Sequence, residues 1–298
     1  MRRSGISEVI CMNKSRLHRA RAFWAGFRHY LGLALVSVFV LFPYYWMIIT
    51  AVRPANEVAV SPAKLVPGGF QLDNFVSVWQ SIPLLKYMRN TVIVAVIVTL
   101  LSVFVACLCG YSISRNIWRR LHRISFVLLL TTQLIPGVLP LAALYFIFFR
   151  VGLNNTYLGL IVANLMWSLP FCSLMMKNYF DAAIPPSLEE SASLDGCSKF
   201  GTFFRICLPI SIPGVISTAI FSFITTWNEY MWASIILSND DLKPVSVGIY
   251  DYLGQFGANS KMALTMTVAT LVTIPVVLLF AFLQKYLISG LSAGAVKE

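Results

Sequence analysis

Charge is scarce in this sequence. Charged side chains make up 12% of its 298 residues, against 58% hydrophobic, and the mean hydropathy is +0.75. Soluble domains carry about twice that share of charge, so the balance excludes a soluble enzyme with a large core and indicates an integral membrane protein. The motifs of common chemistries are missing as well. No G-x-x-x-x-G-K-[ST] loop occurs, so the chain does not hold and hydrolyse ATP by that route. No H-E-x-x-H occurs, and the three histidines, His18, His29 and His122, all sit in basic segments. No apolar run contains a pair of carboxylates, which removes the basis for an intramembrane protease or a proton-relay pump. Cysteine is sparse: Cys11, Cys107, Cys109, Cys172, Cys197 and Cys207 show no C-x-x-C spacing, so neither a disulfide framework nor a zinc site is indicated. Cys107 and Cys109 lie in an apolar run, where cysteine acts as a small hydrophobe. The net charge of +11 comes from basic residues scattered between apolar runs, a pattern of membrane topology rather than of nucleic-acid binding.

What the chain has in abundance is apolar length. A hydrocarbon core needs roughly 20 apolar residues per helix, and six stretches qualify: 30–52, 91–113, 124–149, 157–176, 210–237 and 263–287. The expected fold class is an all-α polytopic membrane protein with six transmembrane helices. Sixteen Lys and Arg fall on one side of these stretches and seven on the other, which predicts cytoplasmic N and C termini and a cytoplasmic 181–207 connection. The division is then a basic cytoplasmic arm (1–29), a membrane domain (30–287) with an outer loop at 53–88, and a short cytoplasmic tail (288–298). The first apolar run is too long for a cleaved signal and reads as a retained anchor. Within the outer loop, a short surface helix is expected near 73–79. Prolines 43, 136, 140, 170, 213 and 275 fall inside the runs and predict kinks whose freed carbonyls need other partners. The polar side chains of the runs are Gln133, Asn164, Asn228 and Glu229. Glu229 either serves function, as intramembrane carboxylates commonly do, or snorkels to the outer interface among Trp227, Tyr230 and Trp232.

One stretch is not made for lipid: EESASLDGCSKFGTFFRICLP, residues 189–209. Pro185-Pro186 suits the opening of a helix. Ser187 and Glu190 have the spacing of a capping box, and Gly196 suits the left-handed residue that closes a helix ending at Leu194. Ser198 can cap a second helix in which Phe200, Phe203, Phe204 and Cys207 form one apolar stripe. The expectation is a helix–turn–helix on the cytoplasmic face, either a cover for the bundle or a docking knob for a soluble partner.

Glu190-Ser191-Ala192, Gly196 six residues after the glutamate, and Ile206-Cys207-Leu208-Pro209 with isoleucine ten after the glycine resemble the E-A-A-x-x-x-G…I-x-L-P signature of ABC importer permeases. Ser191 departs from the usual alanine. PGGFQLDNF, MRNTVIVA, GYSISR, NNTYLGLI, the Trp-Asn-Glu of the fifth run and the closing GLSAGAVKE extend the resemblance over about residues 30–298, toward the carbohydrate-uptake class of the bacterial inner membrane.

The resemblance implies a partnership: a second homologous permease chain, two ATPase subunits that use ATP and Mg, and a soluble extracytoplasmic binding protein, with no cofactor bound by this chain. It implies that Glu189, Glu190, Ser191, Ala192, Asp195 and Gly196, backed by Phe200, Phe203 and Phe204, couple to the ATPase. Within that set, Glu190 makes the contact, Asp195 the turn, and the phenylalanines tie the loop under the bundle. Gln133, Asn164, Trp227, Asn228 and Glu229 are the translocation-path candidates, for a sugar whose main contacts fall on the larger partner chain. A six-span channel or secondary transporter without ATPase subunits is the alternative, and a scaffold that recruits a partner is a third reading.

Overall fold

A computed structural model describes the backbone of residues 4–58, 64–115, 119–256 and 262–295, and side chains over 26–54, 56–58, 64–115, 124, 126–251 and 262–284. Most basic side chains of the N-terminal arm, those of 119–123, and the 288–298 tail lie outside the described side chains. Every element among the described residues is helical. In order they are α1 (Ser4–Ala51), α2 (Ala55–Val58), α3 (Asp73–Ser81), α4 (Leu84–Ser114), α5 (Arg119–Leu134), α6 (Leu141–Arg150) and α7 (Tyr157–Ala183). There follow α8 (Pro186–Leu194), α9 (Lys199–Thr202), a π-helical turn (Phe203–Cys207), α10 (Leu208–Ile210), α11 (Ile212–Trp227), α12 (Met231–Ile236), α13 (Val245–Phe256) and α14 (Met262–Ala295).

Four helices are long and apolar enough to cross a membrane by themselves: 26–51 of α1, α4, α7 and 262–284 of α14. A bent pair, 199–210 with α11 at 74°, brings the candidate crossings to five if the pair is counted as one span. The third expected stretch is not one helix. Pro136 and Pro140 interrupt it, since proline removes a backbone donor and clashes with the preceding turn, and α5 and α6 are separated by residues 135–140. The fifth stretch is likewise divided after Trp227. Pro213, expected as a mid-helix kink, sits in the first turn of α11, where proline costs nothing; Pro43, Pro170 and Pro275 are the true interior prolines.

The bundle is organised around α4, which packs against α7 and α11. Its buried face carries small residues, Ala95, Ser102, Ala106 and Gly110, that let neighbouring backbones approach. At Gly110 an added Cβ would stand 2.7 Å from the Lys177 amide nitrogen, so the α4–α7 contact there is backbone against backbone. The opposite face of α4, with Leu100, Phe104 and Leu108, is exposed, as expected of a surface solvated by lipid.

At the end of the bundle away from α8, Asn74 Nδ2 of α3 donates to the carbonyls of Ala51 (2.8 Å) and Arg53 (3.2 Å), closing the end of α1. The helix expected near 73–79 is thus present and anchored. Arg53 is fully buried, donates to the Lys64 carbonyl and lies over the Trp46 ring. Asn90 Nδ2 donates to the carbonyls of Asp241 (2.9 Å) and Lys243 (3.0 Å), and Lys86 pairs with Asp241. The hydrogen bond from Lys86 holds the Asp241 carboxyl below its ordinary range. A depressed carboxylate contributes above its unfolded pKa and is lost only as pH falls through the folded value, so this tie is intact at neutral pH.

Candidate functional site

The stretch between α7 and α11 forms a compact knob. Ile184, preceding Pro185-Pro186, is extended, which ends α7, and α8 starts at Pro186. The expected capping box is absent. The two prolines have no N–H to satisfy and Leu188 N bonds Pro185 O (3.1 Å), so Ser187 lies inside α8 and no side chain caps it. Closure follows the expectation. Gly196 has φ +84°, Gly196 N donates to Ser193 O (3.1 Å) and Cys197 N to Ala192 O (2.9 Å), the two bonds of a Schellman turn. Ser198 then caps α9 by accepting from Gly201 N at 3.1 Å.

The phenylalanine stripe divides. The π-helical turn interrupts the 3.6-residue period, so Phe203 and Cys207 are buried while Phe204 is exposed and Phe200 is 75% exposed. Of the three rings only Phe203 ties the knob to the bundle, 4.8 Å from the Tyr111 ring and 6.3 Å from that of Phe180. The adjacent glutamates also divide. Glu190 is exposed, with Ser191, Asp195 and the 89% exposed Leu194, whereas Ala192 is buried. Glu189 turns inward and accepts from Tyr111 Oη (2.8 Å) and from Arg115 Nε. Neither Tyr111 nor Arg115 stood among the site residues read from sequence, although both lie in the GYSISR motif. Polar Glu190 and Asp195 beside bare Leu194 and Phe200 make a surface suited to a protein partner.

A second feature is a cleft of about 430 Å³ where α7 faces the α11–α12 break. Asn164, Trp167, Ser168, Thr225, Asn228, Glu229 and Trp232 line it. Of the expected path residues, Asn164, Asn228 and Glu229 meet here. Gln133 is exposed on α5 and Trp227 is buried against Phe223, so neither lines the cleft. Trp167, Ser168 and Thr225 escaped the sequence reading because hydroxyls and tryptophans are unremarkable in apolar helices. Ser168 shares a 2.7 Å hydrogen bond with Ser102 of α4.

The Glu229 carboxylate caps α12, accepting from Trp232 N (2.6 Å) and Ala233 N (3.1 Å), and its backbone carbonyl accepts from Ser246 Oγ. The carboxylate is thus engaged by the first amides of α12. Glu229→Ala is expected to destabilise the protein by about 2 kcal/mol, because two amides away from bulk water lose their acceptors. Thermal melting in detergent checks it, with Glu229→Gln intermediate.

Long apolar crossings around one central helix, a polar knob on one end and a hydroxyl- and tryptophan-lined cleft between the helices define a multi-pass transport protein. Residues 102–293 match the binding-protein-dependent transport system inner membrane component, and the chain belongs to that family. It is 32% identical over 271 residues to the inner membrane ABC transporter permease protein YcjP of Escherichia coli, covering 90% of this chain and 95% of that one. It is 34% identical over 271 residues to the trehalose/maltose transport system permease protein MalG of Thermococcus litoralis, at the same coverage. A crystal structure of a bacterial ABC transporter involved in the import of the acidic polysaccharide alginate shares the fold, with a TM-score of 0.75 at 19% identity over 89% of this chain and 96% of that one.

Proposed function

We propose that this chain is a permease subunit of an ATP-driven importer, forming half of a translocation pathway for a di- or oligosaccharide and receiving ATPase work through residues 187–207. The observation that carries the proposal is the knob itself: a helix closed by Gly196 that turns Glu189 inward and leaves Glu190, Asp195, Leu194 and Phe200 free for a partner. A second permease chain, two ATPase subunits using ATP and Mg, and a soluble binding protein complete the assembly. Counting α5–α6 and α11–α12 each as one broken crossing gives six spans with both termini and the knob on one side, and the excess of Lys and Arg there supports the cytoplasmic side. The cleft offers what a sugar needs, namely an exposed aromatic ring from Trp167 and hydrogen-bonding groups from Asn164, Ser168, Thr225 and Asn228. The trehalose/maltose relative favours this substrate class.

The test is uptake into proteoliposomes holding the chain with its partner subunits, using labelled maltose, trehalose and a chitobiose derivative as probes. Accumulation that requires ATP on the ATPase side and binding protein on the other is the expected result. Accumulation that proceeds without ATP would contradict it.

A further inference from the structure

We propose that GYSISR, residues 110–115, is the receiving half of the knob, and that Arg115 and Tyr111 are positioning residues that grip Glu189 and carry a displacement of α8 into α4. The inference rests on the reading of the knob as the ATPase contact.

Tyr111 and Arg115 are one turn apart on the same face of α4. Together they occupy both oxygens of the Glu189 carboxylate, Tyr111 Oη on Oε2 and Arg115 Nε on Oε1. The Arg115 and Glu189 side chains are only 14% and 17% exposed, so the pair is largely sheltered from competing water. The same guanidinium donates through Nη2 to the Ile184 carbonyl (2.8 Å), just past the end of α7, and through Nη1 to Ser114 Oγ (2.9 Å). Ser114 Oγ in turn donates to Asp181, which pairs with Lys177 at 2.8 Å. Gly110 completes the motif by allowing α4 to lie against α7 at Lys177. One arginine therefore joins the end of α4, the end of α7 and the inner face of α8.

The geometry gives this junction a mechanical role. Phe203 buries against Tyr111 and Phe180, so the second half of the knob meets the same point. From there α4 runs 31 residues, about 46 Å at helical rise. It passes Ser102, bonded to Ser168 at the cleft, and at its far end Asn90 holds the 241–243 loop. A push on α8 delivered through Glu189 moves a continuous helix that is bonded at mid-length to Ser168 on the wall of the cleft. Glu190 meets the partner and Glu189 passes the movement on.

The experiment uses the assembled complex of this chain with its second permease, ATPase subunits and binding protein. Its readout is the rate at which a maleimide labels Thr225→Cys in the cleft, followed by mass spectrometry of that peptide, nucleotide-free and trapped with ATP and vanadate. With the native clamp the two states should differ severalfold in rate. Arg115→Gln should keep its ATPase subunits and hydrolyse ATP, yet the equilibrium between states should shift by about tenfold or more, the loss of a hydrogen bond to a charged group, so that the difference collapses. Tyr111→Phe, which removes a single oxygen and leaves packing intact, should reduce it partly. The exchange Arg115→Glu with Glu189→Arg should restore part of it. Full nucleotide response in assembled Arg115→Gln complexes would overturn the clamp, as would loss of the ATPase subunits from that variant without recovery in the exchange. A native complex that holds no ATPase subunit would overturn the importer reading, and the clamp with it.

Discussion

Gly196→Pro is expected to lose the ATPase subunits from the purified complex, a fall of more than about tenfold in retention, while the chain still reaches the membrane. Three faults coincide at this position. Proline fixes φ near −65°, and Gly196 stands at +84°. It removes the N–H that bonds Ser193 O at 3.1 Å. It also disfavours the helical conformation of the preceding residue, Asp195, whose φ and ψ are −76° and 5°. The Schellman turn cannot form, and α9 leaves α8 in another direction, taking Phe200 out of register with Glu190 and Leu194. Gly196→Ala keeps the N–H and meets only the left-handed penalty of about 1 kcal/mol, so it should retain most of the ATPase. Retention measured by densitometry of the tagged complex separates the two variants.

Gly110→Val should destabilise the membrane domain by about 3 kcal/mol. Its Cβ would meet the Lys177 nitrogen at 2.7 Å and Met176 Cβ at 2.8 Å. These atoms belong to the main chain and to the root of a side chain in α7, so no rotamer change relieves the clash. The helices must separate, and Met176, Phe180 and Cys207 lose their packing beneath the knob. A fall in melting temperature of the detergent-purified chain, with early aggregation, is the expected outcome. Gly214 offers a contrast. A Cβ there meets the Tyr179 ring at 2.4 Å, and a ring can swing aside, so Gly214→Ala should cost less.

Local signals in the sequence were legible where they act within a few residues. The end of α8 at Leu194, its closure at Gly196 and the cap at Ser198 each follow from one turn of backbone chemistry, and the structure has all three. The apolar runs at α1, α4, α7 and α14 were legible for the same reason, because length and hydropathy suffice. Three misreadings share a different cause. The capping box assumed that Ser187 precedes its helix, but Pro186 already begins it. The phenylalanine stripe assumed a constant 3.6-residue period, which the π-helical turn at Phe203–Cys207 interrupts. Continuous hydropathy makes the 124–149 run read as a single kinked helix, while Pro136 and Pro140 divide it into α5 and α6.

The remainder depends on tertiary distance. Glu189 and Arg115 lie 74 residues apart, and nothing local says which of two adjacent glutamates turns inward. Gly110, Tyr111, Ser114 and Arg115 were visible as a motif, and their use became apparent only with α7 and α8 beside them. Glu229 illustrates the converse. An isolated intramembrane carboxylate suggested function or snorkelling, and the break after Trp227 supplies a third use, the cap of α12, while leaving the side chain on the wall of the cleft.

The central claim is that residues 187–207 dock an ATPase subunit. It is tested most directly by tagged purification in mild detergent after co-expression with ATPase, second permease and binding-protein chains, comparing the native chain with Glu190→Arg. The account predicts that ATPase subunits and a second membrane chain co-purify with the native chain, and that reversing the exposed charge on α8 weakens ATPase retention without loss of the membrane partner. A chain that purifies alone or as copies of itself, with Glu190→Arg indistinguishable from it, would contradict the account and leave the knob as a cover for the bundle.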